Sequence, residues 1–244
     1  MIELDTIYNC DCLQGMREIP DGSVDCIICD LPYGTTACKW DVVIPFEPLW
    51  EQYRRICKPN AAIVLFGSEP FSSALRMSNI GMYKYDIYWH KHKPVNHINA
   101  KKQPMRSIET ISVFYRQQPT FNLTKKDKPI KAVSTTTNTV FGKSKNGYTR
   151  MVEINAKIDL VDYDKDHDNI HPTQKPVDLL RYLVLTYTNE GELVLDNCMG
   201  SGTTAIAAMR EHRHFIGFEL NKEFYEKACE RVRNEQAQLK MAME

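Results

Sequence analysis

Two short stretches of this 244-residue chain hold side chains able to do chemistry. The first is Asp30-Leu31-Pro32-Tyr33. A carboxylate followed by a turn carbonyl forms a pair of acceptors, which suits the two N–H groups of an exocyclic amino group such as that of adenine or cytosine. That nitrogen is a poor nucleophile because its lone pair is delocalised into the ring. Acceptance of its hydrogens by Asp30 and the Leu31 carbonyl would localise the lone pair and stabilise the charge that develops as nitrogen attacks a methyl group in line. Pro32 would fix the turn, and Tyr33 offers an aromatic face for an extruded base. Taken alone, the four residues fit an ordinary strand-ending turn equally well.

The second stretch is Val194-Leu195-Asp196-Asn197-Cys198-Met199-Gly200-Ser201-Gly202-Thr203-Thr204. It runs from a strand through an acid and a small-residue turn into a helix. In an open α/β sheet ligands bind at the carboxyl ends of strands, where glycine lets backbone approach closely; Gly200 and Gly202 suit that role. Phe215-Ile216-Gly217-Phe218-Glu219 ends the next strand with a carboxylate placed to accept from two ribose hydroxyls. Nicotinamide enzymes share this outline. Here, however, the three-glycine pyrophosphate spacing is absent, and Asp196 would repel phosphate but attract a cationic amino group. S-adenosylmethionine (SAM) carries such a group beside its positive sulfur.

The surrounding pattern supplies elements to position both stretches. Thr6 to Asn9 and Val24 to Cys29 read as buried strands. Phe46, Leu49, Trp50, Tyr53, Ile56 and Cys57 recur at helical spacing, and Pro59-Asn60 should stop that helix before the strand Ala61 to Phe66. Strands are expected at Tyr83 to Trp89 and Ser107 to Tyr115. From Gln117 to Asn169 the periodicity breaks down, as an insertion of short strands and loops would. It returns as a helix from Pro176, a strand Leu193 to Leu195, a helix Thr203 to about His212, a strand Phe215 to Phe218 and a helix from Lys222 to about Gln238. Strands alternating with helices imply a doubly wound, mostly parallel α/β sheet.

At this point the chain resembles the DNA amino-methyltransferases that modify adenine N6 or cytosine N4. Their signature is Asp/Asn/Ser-Pro-Pro-Tyr/Phe, with Leu31 here in place of the first Pro. Asn9-Cys10-Asp11-Cys12-Leu13, Pro20 to Asp25, Cys57-Lys58-Pro59-Asn60, Trp89-His90-Lys91, His171-Pro172-Thr173-Gln174-Lys175-Pro176 and the Asp196 to Thr204 loop resemble the other blocks of that family. They follow the permuted order, catalytic half first, and span about three quarters of the chain. The resemblance implies a seven-stranded Rossmann-like sheet, with a catalytic half over 1–116, a target-recognition insertion over 117–170 and a SAM-binding half over 171–244. It implies that Asp11 and Cys12 contact the adenine ring of SAM. His171, Thr173 and Lys175 would close over the methionyl carboxylate. Asp196, Met199, Gly200, Ser201, Gly202 and Thr203 would hold the methionyl end, with Asp30 beside it, and Glu219 the ribose. Cys198 departs from the usual Phe. A leading Asp favours adenine N6 as the target over cytosine N4; a dehydrogenase or a DNA-binding protein without catalysis are the readings from other classes.

Charge distribution suits the DNA partner that the resemblance implies. The net formal charge is zero, yet between Lys84 and Lys131 eleven basic residues face three acids, Asp86, Glu109 and Asp127. Double-stranded DNA is the expected partner, with Lys91, Lys93, Lys101, Lys102 and Arg106 on its phosphates; a solvated basic surface is the bland alternative. The resemblance leaves open a homodimer and a cognate restriction endonuclease. No apolar run reaches the roughly 20 residues that span a bilayer, and the start of the chain lacks secretory features, so a cytoplasmic protein without membrane contact is expected. Eight cysteines raise the question of zinc. Cys26 and Cys29 are three apart on a strand, however, and should point to opposite faces, so reduced buried thiols and no metal are expected. The isolated His90 and His171 are read as surface or structural.

Overall fold

The computed structural model describes residues 2–36, 38, 41–95, 97, 100–123, 129–135, 149–155, 157–164 and 174–241, with 129–135 and 149–155 described by their backbone. In chain order the elements are β1 (Thr6–Tyr8), α1 (Cys12–Met16), β2 (Val24–Cys29), α2 (Phe46–Ile56), β3 (Cys57–Gly67), α3 (Phe71–Ser78), β4 (Tyr83–Val95), β5 (Arg106–Phe114), β6 (Pro129–Thr135), β7 (Thr149–Asn155), β8 (Leu160–Asp162), α4 (Val177–Tyr187), β9 (Leu193–Asp196), α5 (Thr203–Arg210), β10 (His214–Phe218) and α6 (Lys222–Met241).

Eight strands form the main sheet in the order β1-β10-β9-β2-β3-β5-β4-β8. The run from β1 to β3 is parallel. β5 is antiparallel to both β3 and β4. This is the doubly wound, mostly parallel sheet the sequence implies, with one strand more than the seven expected. The addition is the three-residue β8, which runs parallel to β4 with Asp162 opposite His90. Only one hydrophobic residue of β8, Val161, is buried, too short a signal to be read as a strand from sequence.

Alternation along the parallel strands builds three core clusters on the faces of the sheet. Ile27, Cys29, Ile63, Leu65, Leu195 and Phe218 face α1, α2 and α3. Cys26, Ile28, Val64 and Val194 face α4, and Ile7 and Phe215 face α5 and α6. Cys26 and Cys29 therefore lie in different cores, on opposite faces of the sheet, and cannot share one metal ion. Helix α2 shows why its segment is helical. Leu49, Trp50, Tyr53 and Ile56 form one buried stripe, Glu47 sits in the first turn, and Arg54 and Arg55 sit in the last, complementing the helix dipole. Pro59-Asn60 is not what stops the helix, contrary to the expectation from sequence: α2 ends at Ile56, and the pair lies inside β3. β3 begins at Cys57, and the register slips there, Val24 pairing with Cys57 but Cys26 with Ala62; the irregularity accommodates a proline that cannot join the ladder. Helices α1 and α3 are additions to the elements expected from sequence, α1 being only five residues long.

By contacts the chain forms two compact units, 1–122 with 159–244 and 123–158. In the smaller, β6 and β7 make an antiparallel hairpin from Pro129↔Asn155 to Thr135↔Thr149. In the larger, Asn122 is tied to the end of α4, its backbone N–H donating to Thr186 O at 2.8 Å and its side-chain amide to Leu185 O at 3.1 Å. No helix among the described residues is long and apolar enough to cross a membrane.

Candidate active site

The parallel run of the sheet decides where the two chemical stretches meet. β2 pairs directly with β9, Ile27 opposite Leu195, so Asp30 and Asp196 leave the carboxyl ends of adjacent strands. β10 and then β1 lie on the far side of β9, which brings Glu219 and Asp11 to the same edge. Asp30 and Asp196, 166 residues apart, and Asp11 and Glu219, 208 apart, are thus brought to one edge by sheet order alone.

Asp196 is buried. Its Oδ1 accepts from the Cys198 N–H at 3.0 Å and its Oδ2 from the Thr204 hydroxyl at 2.6 Å. Burial, with the Asp30 charge adding to it, pushes its pKa up to about 6 despite those hydrogen bonds. In the turn that follows, Gly200 and Gly202 have φ of 52° and 77°, the left-handed region that favours glycine. They serve different ends. A Cβ on Gly200 would meet nothing nearer than Cys198 O at 3.9 Å, so this backbone is open to a ligand. A Cβ on Gly202 would lie 3.3 Å from the Ala228 Cβ, so its hydrogen lets α6 approach. Ser201 and Thr203 hydroxyls are 2.9 Å apart, and Arg231 of α6 donates to Thr203 Oγ1 at 3.0 Å. Met199 is buried and donates its N–H to Phe218 O at 2.8 Å.

Glu219 closes this cradle. Its Oε2 accepts from the Gly200 N–H and its Oε1 from the Asn221 N–H, both at 2.8 Å, and burial raises its pKa. Asp11 caps α1, accepting from the Gln14 N–H at 3.0 Å. Cys12 is buried behind it, and the Asn197 side-chain amide donates to its sulfur at 3.7 Å and to that of Cys198 at 3.6 Å, within the core cluster that also holds Cys29. Cys198 thus fills the place of the usual Phe by joining a thiol cluster beneath the loop. Burial pushes the Cys29 thiol up to about 12, so it stays protonated and unreactive. His171 and Thr173 lie outside the described residues.

Around Asp30 the structure assembles a set of charges that sequence reading missed. Lys175 donates to Asp30 Oδ2 and lies 3.0 Å from Glu109 Oε1. Tyr33 donates its hydroxyl to Asp30 Oδ1 at 2.6 Å and also reaches Glu109 Oε1 at 3.2 Å. Lys91 pairs with Glu109 Oε2 at 2.5 Å and sits over the Trp89 ring, 5.2 Å from its centroid. Tyr33 stacks on Phe71, ring centroids 5.0 Å apart. Burial and the neighbouring Glu109 charge raise the Asp30 pKa against the pull of Lys175. For Glu109 the balance is reversed: burial is outweighed by Lys175 and Lys91, and its pKa is lowered.

Lys175 and Lys91 are therefore turned inward, toward Asp30 and Glu109, rather than held out for a methionyl carboxylate or a DNA phosphate. Lys93, Lys101, Lys102 and Arg106 are exposed, and Arg106 donates to Ser68 Oγ at 3.0 Å. Glu109 could have been found. On β5, Glu109 stands on the same face as Ile111 and Val113, both buried, and a carboxylate on a buried face of a strand calls for a buried partner. His90 is not isolated either: its Nδ1 lies 2.6 Å from Asp162 Oδ1, and the ligand atoms of His90, His92 and Asp162 lie within 4.8 Å of one another.

A parallel sheet whose carboxyl edge carries Asp196, Glu219 and Asp30, with a glycine turn open above it, suits a ligand that is cationic and ribose-bearing. The comparisons agree with this. The DNA methylase family N6_N4_Mtase matches residues 24–230, well over half of the chain, and the chain belongs to that family. Its relatives include the type II methyltransferase M.HpaI of Haemophilus parainfluenzae, 27% identical over 236 residues covering 91% of this chain and 72% of that one. Another is the DNA adenine methyltransferase YhdJ of Escherichia coli K12, 28% identical over 247 residues, covering 94% and 83%. Among solved structures, the M1.HpyAVI–SAM complex superposes with a TM-score of 0.65 at 25% identity, covering 93% of this chain and 98% of that one. The cytosine-N4-specific PvuII methyltransferase gives 0.68 at 15% identity, covering 94% and 90%, which shows the shared fold alone.

Proposed function

We propose that this DNA methyltransferase acts on the N6 amino group of adenine in duplex DNA, on a base turned out of the helix. The observation that carries the reading is Asp30, held at the end of β2 beside the Asp196 loop of β9. SAM, when bound, supplies an electrophilic methyl group on a positive sulfur able to keep the S–C electron pair. Asp196 would face the methionyl ammonium and Glu219 the ribose hydroxyls, with Gly200 giving the backbone room for both. Asp11, Cys12, Met199, Ser201, Gly202 and Thr203 shape the remainder of the cradle. Asp30 and the Leu31 carbonyl accept the two amino hydrogens, so the nitrogen lone pair points at the methyl group. As the N–C bond forms the nitrogen turns cationic, and Asp30 receives the proton it sheds. Pro32 holds the Leu31 carbonyl in place, and the ring of Tyr33 stacks on the base. Lys93, Lys101, Lys102 and Arg106 lie on phosphates, and target recognition falls to the insertion over 117–170. The leading Asp30 and the naming of YhdJ as an adenine enzyme favour adenine. The type II designation of M.HpaI supports a restriction endonuclease as partner in the cell.

The test is to incubate the protein with unmethylated duplex DNA and methyl-labelled SAM, digest to nucleosides and identify the labelled base by mass spectrometry. N6-methyldeoxyadenosine is expected; label on deoxycytidine would overturn the choice of base. Asp30→Ala should abolish labelling while SAM still binds, and normal methylation by that variant would remove the catalytic assignment.

A further inference from the structure

The two donors that occupy the Asp30 carboxylate, the Lys175 ammonium and the Tyr33 hydroxyl, are the same two that reach Glu109 Oε1, at 3.0 and 3.2 Å. Glu109 presents that oxygen in a fixed direction. Its other oxygen is held by Lys91, which is itself seated over Trp89, and Trp89 lies directly across the β4–β5 ladder from Glu109. Cross-strand neighbours on one face of an antiparallel pair are rigidly related. Side chains of Glu109, Lys175 and Lys91 are 8%, 9% and 12% exposed, so water cannot substitute for a lost partner.

If Asp30 accepts the amino hydrogens, an ammonium clamped on it is the wrong neighbour. The nitrogen becomes cationic as the new bond forms, and a positive charge a few ångströms away opposes it strongly in a site of low dielectric. Lys175 must then be held elsewhere without leaving the site, since an unpaired buried ammonium is costly.

We propose that Glu109 is a positioning residue that takes over Lys175 and the Tyr33 hydroxyl as the target base claims Asp30. Both donors already reach Glu109, so giving up Asp30 leaves neither without a partner, and the buried set of two acids, Asp30 and Glu109, and two lysines, Lys91 and Lys175, stays neutral while the base binds. Glu109 touches neither base nor donor; it acts through Lys175. This inference rests on Asp30 being the acceptor for the amino group.

The experiment measures initial methylation rates of Glu109→Gln at saturating SAM and unmethylated duplex DNA, together with SAM binding, thermal melting and the pH profile of the rate. The amide keeps the shape but lacks the charge that would draw Lys175 away. The expected loss in kcat is on the order of 100-fold, typical of misplaced catalytic groups, with SAM affinity unchanged. The acidic limb of the profile should move to lower pH, because Asp30, faced by Lys175, Tyr33, Glu109 and, at the end of the adjacent β9, Asp196, loses the like charge of Glu109. A purely structural role would lower melting temperature without moving that limb. Because Glu109→Gln leaves Lys91 unpaired, the double variant Glu109→Gln/Lys91→Met restores neutrality and keeps the fold testable. A double variant that melts like the wild type but stays slow supports the proposal. Wild-type rates in either variant overturn it. Asp30→Ala, run alongside, separates the two failures: if it is inactive while Glu109→Gln is normal, only the role of Glu109 falls, and if it is active the acceptor assignment falls with it.

Discussion

Asp196 is ionised only at a cost, because both of its oxygens are out of water and the Asp30 charge lies close by. With its pKa at about 6 in the folded chain against 3.8 for the free group, two opposite trends follow. The folded state binds the proton more tightly than the unfolded state, so this group adds stability as pH falls from about 6 toward 4 and withdraws it as pH rises. SAM binding should run the other way: below pH 6 the carboxyl is neutral and no longer attracts an ammonium. Titration calorimetry should show SAM affinity falling through pH 6 in the wild type. Asp196→Asn should bind weakly and without that pH dependence, and its melting curve should lack the corresponding gain in stability. A second residue carries its function in its ring. Tyr33→Phe keeps the stack on Phe71 and loses only the hydroxyl bonds, whereas Tyr33→Ala removes the surface on which a base would rest. Stacking of a base on an aromatic ring is worth about 1–3 kcal/mol, so the alanine variant should lose that much in kcat/KM for DNA beyond any loss shown by the phenylalanine variant.

At the scale of elements, α2 does more than cover the sheet. Tyr53, on its buried stripe, donates its hydroxyl to Asn197 Oδ1 at 2.6 Å, and Asn197 is the second residue of the cofactor loop. The helix thus holds the turn from behind. Tyr53→Phe leaves a buried amide oxygen unsatisfied, a loss of about 1–3 kcal/mol, and chemical denaturation should show it together with weakened SAM binding. The contact of α6 with the loop is testable at Gly202. Alanine there would have to adopt a φ of 77° and press on Ala228 at 3.3 Å, and strain of that kind costs about 1–3 kcal/mol. Gly200→Ala meets open space at the same kind of φ, so its strain should be similar while its damage falls on SAM affinity. Comparing the two variants by denaturation and by calorimetry separates a packing glycine from a ligand-facing one.

For the whole molecule, a net charge of zero means that any electrostatic attraction for DNA has to come from a local cluster of charges and not from the chain at large. Lys101 and Lys102 are exposed and stand clear of the buried pairs that engage Lys91 and Lys175. If both lie on phosphates, each contributes about 0.9 to the slope of log affinity against log salt. Lys101→Ala/Lys102→Ala should therefore flatten that slope by about 1.8, weaken binding to all duplexes alike and leave SAM affinity as it was. Fluorescence anisotropy across a salt series measures this, and an unchanged slope would place the DNA elsewhere.

Local sequence determined what local forces control. The periodicity of Leu49, Trp50, Tyr53 and Ile56 specified a helix, and the apolar runs of β2, β3 and β9 specified buried strands, because alternation and helical spacing are properties of neighbours along the chain. Asp30-Leu31-Pro32-Tyr33 and the glycine turn after Asp196 could be recognised for the same reason. Tertiary structure alone decided the company these residues keep. Nothing in the local sequence of β5 says that Glu109 will meet Lys175, or that Lys91, two residues past Trp89, will turn inward instead of toward a phosphate. Those pairings come from the order of strands in the sheet, which sets side by side residues far apart in the chain, and a buried charge takes whichever partner the fold brings within reach.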